Sequence, residues 1–151
     1  MTQHHTTATT RAADLTGDIA QLTQPIHIAA QGRIHTLPCL LDQLRDACTP
    51  SGGTTGAGIR TPPGSRPPVR LDAVDALAEV YAGISMWHAR LRLPSPPRDQ
   101  DWQLSVLRTL ADTAPTLEPA RADWLAIEVH DWWRLAATAS GWTPDQLRRL
   151  R

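Results

Sequence analysis

Two types of side chain in this sequence could perform chemistry if the fold brought them together. Cys39 and Cys48 are the two cysteines, and His88 and His130 lie on the two segments with the clearest helical pattern. A thiol beside an imidazole can act as a nucleophile, and thiols together with imidazoles can bind zinc. The cysteine spacing does not match the short Cys-x-x-Cys form of zinc ribbons and fingers. The four residues therefore do not predict a metal site.

Both thiols lie on the apolar face of a short amphipathic segment, CLLDQLRDAC. Burial there would raise their pKa and make them poor nucleophiles, so we expect small buried side chains. The segment GGTTGAG lacks the lysine of a phosphate-binding loop, and no serine lies in a nucleophile elbow. The sequence therefore predicts no catalytic residue, no metal ligand and no cofactor, and we expect the protein not to be an enzyme.

The C-terminal segment, WWRLAATASGWTPDQLRRLR, has a spacing that a helix-turn-helix unit could use. Gly141 would lie in the turn and Leu147 would anchor the second helix. The basic residues that could then contact DNA phosphates are Arg148, Arg149 and Arg151. Any two helices joined by a glycine share this spacing, so the alternative is a C-terminal helix that folds back on a bundle.

The composition is that of one globular domain with no excess charge. The chain has 151 residues, 41% of them hydrophobic, and a net charge of zero. All 15 basic residues are arginine, and lysine, asparagine and phenylalanine are absent, which indicates a GC-rich genome. The N-terminus has no apolar signal core, and the apolar runs are shorter than the ~18 residues of a membrane span. We expect a cytoplasmic protein with reduced thiols and no membrane partner.

The elements that would position these residues are mainly helical. Apolar residues at helical spacing predict helices over 10–21, 39–48, 71–93, 99–113 and 117–140, with a short helix after the cap Thr143. The segments 26–29 and 33–37 flank Gln31-Gly32, which predicts a β-hairpin with apolar contacts from Ile26, Ile28 and Ile34. The predicted fold is mainly α: a small helical bundle with one short hairpin and a long Gly/Pro-rich loop.

Tryptophan takes the place of the missing phenylalanine as the large core residue. Five of the six tryptophans lie on the three strongest helices, and we expect them to fill the bundle core. They are Trp87, Trp102, Trp124, Trp132 and Trp133. On the last long helix, Trp124 and Ile127 are expected to widen the buried face.

Composition divides the chain into four parts. We expect residues 1–9 to be a disordered tail and residues 10–48 to form a small N-terminal unit. Residues 49–70 are rich in Gly and Pro and predict a flexible linker or exposed loop, and residues 71–151 predict the helical bundle. Arg60, Arg66 and Arg70 in or beside the loop are candidate contacts for a protein partner.

Several short runs resemble an uncharacterised family of proteins from actinobacteria and their bacteriophages. These runs are LTQP, LPCLLDQL, PGSRPPVRLDAVDAL and ATASGWTPDQLRRLR, and the resemblance extends from about Leu22 to Trp142. Longer members of the family continue into a zinc ribbon with two Cys-x-x-Cys knuckles, and this chain contains no such pair. The family has no settled activity, so the resemblance assigns no catalytic residue.

These observations lead to two functional hypotheses. The first is a non-enzymatic interaction module of phage or prophage type that acts through protein contacts. The second is a regulator that binds duplex DNA through the arginines of the C-terminal helix pair.

Overall fold

A computed structural model describes residues 3–50 and 70–151, with side chains from residue 11 onward. The described part consists of six α-helices and one antiparallel hairpin, which confirms the mainly α fold class. The helices are α1 (Gln3–Thr23), α2 (Leu40–Cys48), α3 (Leu71–Arg90), α4 (Trp102–Thr113), α5 (Pro119–Ala139) and α6 (Pro144–Arg148), and the strands are β1 (Ile26–Ala30) and β2 (Arg33–Leu37).

The first helix is longer than the sequence pattern predicted. It begins at Gln3 rather than Thr10, so the disordered tail predicted for residues 1–9 is wrong from Gln3 onward. The segment before Thr10 contains neither proline nor glycine. Because a helix extends by one hydrogen bond per residue once it is nucleated, the buried turns at Leu15, Ile19 and Leu22 can support this extension.

The hairpin has the predicted two-residue turn. Gln31 and Gly32 have φ values of 53° and 73°, as a type I′ turn requires, and Ile26 pairs with Leu37. Ile26 is buried, but Ile34 is 75% exposed, so its predicted core contact is wrong. Strand side chains alternate between faces, and Ile34 pairs with Ala29 on the face opposite Ile26.

One core joins the helices on both sides of the Gly/Pro-rich segment. Helix α5 packs against α1, α2 and α3, and α4 packs against α1. Leu22, Leu41 and Leu44 from the first half are buried in one cluster with Ile84, Leu107 and Leu125 from the second. The predicted division between residues 10–48 and 71–151 therefore does not separate two cores. Residues 51–69 of the predicted loop lie outside the described residues.

The chain reverses after α5 through the predicted glycine. Gly141 has a φ of 85°, and the Trp142 and Gly141 N–H groups donate to the carbonyls of Ala137 and Thr138 at 2.9 and 3.1 Å. This is a Schellman motif, which satisfies carbonyls that the end of the helix leaves free. Thr143 and Gln146 then form the predicted capping box of α6.

The tryptophans divide between core and surface. Trp87, Trp132 and Trp133 are buried as predicted, Trp102 is half-buried, and Trp124 is exposed, which makes its predicted place in the core wrong. Gly83 of α3 lies so close to Trp132 that an added Cβ would be 2.4 Å from the ring carbon Cζ2. Among the described helices, none combines the length and the apolar character that a bilayer span needs.

Candidate functional site

A polar cluster at the C-terminal end joins α1, α5 and the residues after α6. The Asp18 carboxylate is only 1% exposed and receives hydrogen bonds from two sides. Its Oδ2 lies 2.9 Å from His130 Nδ1, and its Oδ1 accepts a hydrogen bond from Arg151 Nη2. Because a buried carboxylate is costly without partners, this pairing is what allows Asp18 to face the core.

Gln21 and Trp133 extend the cluster by one helical turn. Gln21 Nε2 donates to the Leu147 carbonyl at 2.7 Å, and Gln21 Oε1 accepts from Trp133 Nε1 at 2.8 Å. The His130 ring stacks on Trp133 with centroids 5.3 Å apart, and the Arg151 guanidinium lies 5.1 Å from the Trp133 ring centroid. Asp18, Gln21, His130, Trp133 and Arg151 form what we call the C-terminal cluster, which fastens α6 to α1 and α5.

An Asp–His pair can orient an imidazole for catalysis, because the carboxylate fixes which ring nitrogen carries the proton. A working site also needs a nucleophile or substrate group at the other nitrogen. Within the described residues, Asp18 is the sole hydrogen-bond partner of the His130 ring. An open depression of about 300 Å³ borders the ring and is lined by Asp14, Asp131 and Arg148 among others. The pair thus has the geometry of a positioning contact between helices.

The other residues considered for chemistry lie apart from this cluster. His88 of α3 packs on Trp102 with ring centroids 5.0 Å apart, and its buried Nε2 has no hydrogen-bond partner in the described structure. Burial raises the pKa of the Cys39 and Cys48 thiols, as the sequence predicted. No set of three or more potential metal ligands converges within the described ranges.

The three C-terminal arginines have different surroundings. Arg151 is exposed as a residue, but its guanidinium belongs to the C-terminal cluster and is bonded to Asp18. Arg148 lies 3.4 Å from Asp145 in an exposed pair, and Arg149 is exposed with no ion pair among the described side chains. Leu147 between them is fully buried, so α6 does fold back on the bundle. Its five residues form barely more than one turn.

Of the arginines predicted to contact a protein partner, the structure describes one. Arg70 precedes α3 and is exposed, with Nη2 2.7 Å from Asp72 Oδ2. The hydrogen bond from this guanidinium holds the pKa of the Asp72 carboxyl below its usual value. Arg60 and Arg66 lie outside the described residues.

A second ionic contact joins α2 to the start of α4. Arg45 of α2 donates from Nη1 to Asp101 Oδ2 at 2.7 Å and from Nε to the Tyr81 hydroxyl at 2.6 Å. Asp101 also accepts from the Leu104 N–H at 3.0 Å and so caps α4. The hydrogen bond from Arg45 lowers the pKa of the Asp101 carboxyl. These contacts join α2, α3 and α4.

The outer side of α3 and α5 carries large apolar residues that no described element covers. On α5, Trp124 is 44% exposed and Ile127 is 56% exposed. On α3, the Arg90 guanidinium lies 4.3 Å from the Trp124 ring centroid, and Met86 is exposed one turn before it. We call these four residues the Trp124 surface.

The Trp124 surface rests on a fixed base. Trp87 lies beneath it, with its ring 5.5 Å from that of Trp124 in an edge-to-face arrangement. Trp87 Nε1 donates to Glu128 Oε2 at 2.7 Å, which satisfies the one polar atom of a fully buried ring. The exposed indole is therefore held between a buried aromatic ring and a cation.

The sequence pattern contained a signal for this surface that our prediction did not use. Ile127 lies two residues from both Leu125 and Val129, and at 100° per residue that spacing places it on the opposite side of the helix. Trp124 is in turn three residues before Ile127, on the same side. Residue type favoured the core, whereas helical geometry favoured solvent.

Comparison with known proteins places the chain in a family. No curated protein and no solved structure matches it. A family model described as a domain of unknown function, DUF7341, matches residues 7–150, nearly the whole chain. This confirms the resemblance to an uncharacterised family. The chain belongs to the DUF7341 family.

Proposed function

We propose that this chain is a non-enzymatic interaction module that binds another protein through the Trp124 surface. The observation that carries the proposal is the exposure of Trp124 and Ile127 one turn apart on α5, with the Arg90 guanidinium over the indole ring. Single exposed apolar side chains are ordinary on a folded domain, but several grouped together often mark an interaction site.

The residue types support the same proposal. Tryptophan and arginine are the residues most enriched among those that dominate binding energy, and methionine is also common in interfaces. Trp124 is already restrained by Trp87 and Arg90, so it would lose little conformational freedom when a partner covers it. A preorganised aromatic side chain of this kind is a good anchor for a partner's pocket.

Duplex DNA is the alternative partner, and its support is the exposure of Arg148 and Arg149 at the end of α6. Arg148 is shared with Asp145, and Arg151 is held by Asp18. A site with one uncommitted arginine would neutralise few phosphates, so its binding would be weak and would depend only slightly on salt. We therefore rank DNA binding second.

We also propose the biological setting. The arginine-only basic composition and the absence of lysine, asparagine and phenylalanine support a host with a GC-rich genome. The runs that resemble the actinobacterial and bacteriophage family, such as PGSRPPVRLDAVDAL, support an actinobacterial host and a phage or prophage origin. The two free thiols, Cys39 and Cys48, support a reducing cytoplasm. We further propose that longer members of the family carry a zinc ribbon after the part that corresponds to this chain.

Affinity capture from the host with matched variants tests the proposed function. Wild-type protein should retain a partner at stoichiometric levels, and Trp124→Ala should lose it by roughly tenfold or more, as expected for an interface anchor. Ile34→Ala is the control, because it removes an even more exposed apolar side chain, 75% exposed, from the hairpin.

Two outcomes would overturn the proposal. One is a partner that Trp124→Ala retains and Ile34→Ala loses. The other is retention of duplex DNA that Arg149→Ala abolishes and Trp124→Ala leaves unchanged, which would favour the alternative.

A further inference from the structure

The exposed face of α5 carries opposite charges on either side of its apolar centre. Arg121 precedes Trp124 by one turn, and Asp131 follows Ile127 by one turn. Both charged residues are exposed, and neither forms an ion pair within the described side chains. The order along the helix is therefore cation, tryptophan, isoleucine, anion.

We propose that α5 pairs antiparallel with α5 of a second copy of this chain. The inference rests on the proposed function and names the partner of the Trp124 surface. In such a pair, Arg121 faces Asp131 of the second copy, and Ile127 packs on Trp124 of the second copy. Two-fold symmetry then repeats both contacts, as an isologous interface requires.

A single symmetry axis satisfies both contacts. The midpoint between Trp124 and Ile127 and the midpoint between Arg121 and Asp131 coincide to within one residue, near residue 126. An antiparallel helix pair needs such a common midpoint, because residues equally far from the axis on the two helices face each other. If positions 121 and 131 carried the same charge, like charges would face each other in the dimer and oppose the pairing.

The neighbouring residues are compatible with close approach. Glu128 accepts a hydrogen bond from Trp87, which holds its carboxylate against α3 beside the axis. Met86 of α3 borders the same face and widens the apolar area that a second copy could cover, and Arg90 adds a cation at its edge. Stable interfaces bury at least ~1,200 Å², and an interface of one helix pair is small by that standard, so we expect the dimer to be weak and concentration-dependent.

Sedimentation equilibrium of the full chain, from about 10 µM to about 1 mM, tests the inference. Wild type should approach the mass of two chains as the concentration rises. Arg121→Asp should weaken association by roughly tenfold or more, because each interface then contains two like-charge contacts. The double variant Arg121→Asp, Asp131→Arg should restore it, since the two charges are exchanged in both copies. Arg149→Asp, an exposed change directly after α6, is the matched control and should have no effect.

The variants are expected to fold. Position 121 lies in the first turn of α5, where an aspartate interacts favourably with the helix dipole. Thermal unfolding followed by circular dichroism checks this for each variant before sedimentation.

A wild-type chain that stays monomeric throughout the range would overturn the second-copy proposal. So would association that the double variant does not restore, because the register would then be wrong. Neither result decides the proposed function: a monomer that still captures a different protein through Trp124 keeps that function and loses only the dimer.

Discussion

Two sides of α5 show opposite uses of their side chains. On the side facing α1, His130 and Trp133 meet Asp18, Gln21 and Arg151, and hydrogen bonds within the cluster occupy the polar atoms that face inward. On the outer side, Trp124 and Ile127 are exposed, and Trp124 is flanked by Trp87 and by the Arg90 guanidinium. The side chains that could take part in catalysis thus bond to one another between helices. Two residues of types usual in cores, Trp124 and Ile127, are exposed instead.

The contrast between the two sides of α5 shows that residue type alone is a poor guide to function in this bundle. An Asp–His–Arg grouping in a list of residues suggests chemistry, yet here each member satisfies another between helices. A tryptophan in a list suggests a core, yet Trp124 lies where a partner could contact it. Substitutions on the side facing α1 should therefore lower stability, and substitutions on the outer side should mainly lower binding.

The largest effect should come from comparing two tryptophans in edge-to-face contact. Trp87→Ala should lower the free energy of unfolding by about 3–5 kcal/mol, because it empties a fully buried site and leaves Glu128 without its donor. Trp124→Ala should cost only about 1 kcal/mol, since 44% of that residue is already exposed in the folded protein. Urea unfolding measures both, and equal losses would contradict the surface placement of Trp124.

The C-terminal cluster should respond next. Asp18→Ala removes the shared acceptor of His130 and Arg151 and should cost about 2 kcal/mol. This is below the cost of stranding a fully buried charge, because both remaining partners reach water. Asp145→Ala, which breaks an exposed pair with Arg148, should cost less than about 0.5 kcal/mol. Similar costs for the two variants in chemical denaturation would contradict the structural role of the cluster.

A glycine pair tests the packing of α3 on α5 and of α1 on the C-terminal residues. Gly83→Ala should destabilise by about 1–2 kcal/mol, because overpacking against the buried Trp132 ring exceeds the gain in helix propensity. Gly17→Ala should change stability by less than about 0.5 kcal/mol, because the gain in helix propensity is offset by a small shift of the Arg151 guanidinium, 3.1 Å away and bonded to Asp18. Thermal unfolding of both variants should therefore give shifts of different size. A stabilised Gly83→Ala variant would show that α3 and α5 are less tightly packed than described.

The smallest effect is a pH dependence at the Arg45 contact. Arg45 holds the pKa of Asp101 below its ordinary value of 3.8, so this stabilisation is present above that pH and is lost as pH falls through the folded pKa. The stability difference between wild type and Arg45→Met should be constant from about pH 5 to 7 and shrink below about pH 4. Arg98→Met, an exposed control, should leave the acid slope of wild type unchanged. A difference that persists at low pH would contradict an ionic origin.

Local features of the fold could be predicted from the sequence because each depends on a few adjacent residues. The Gln31-Gly32 turn, the left-handed Gly141 and the Thr143 capping box each follow from residue preferences for particular backbone angles or hydrogen bonds. The apolar residues at helical spacing likewise indicated that each of the long segments forms a helix.

Contacts between distant residues were beyond sequence reasoning. Asp18 and His130 are 112 positions apart, and no local pattern pairs them. The same limit applies to Arg151, whose engagement by Asp18 depends on the path that the chain takes after Gly141. Trp124 differs from these, since helical geometry indicated its outward direction and residue type masked it.

Site-specific photo-cross-linking in the host is the most direct test of the central claim that α5 binds through its outer side. A benzoylphenylalanine at Ile127 should give a covalent adduct, either with a second copy or with another protein. The same probe at Ile34 or at Arg149 should give none, although both positions are exposed. Adducts at Ile34 or Arg149 together with none at Ile127 would contradict binding through the outer side of α5.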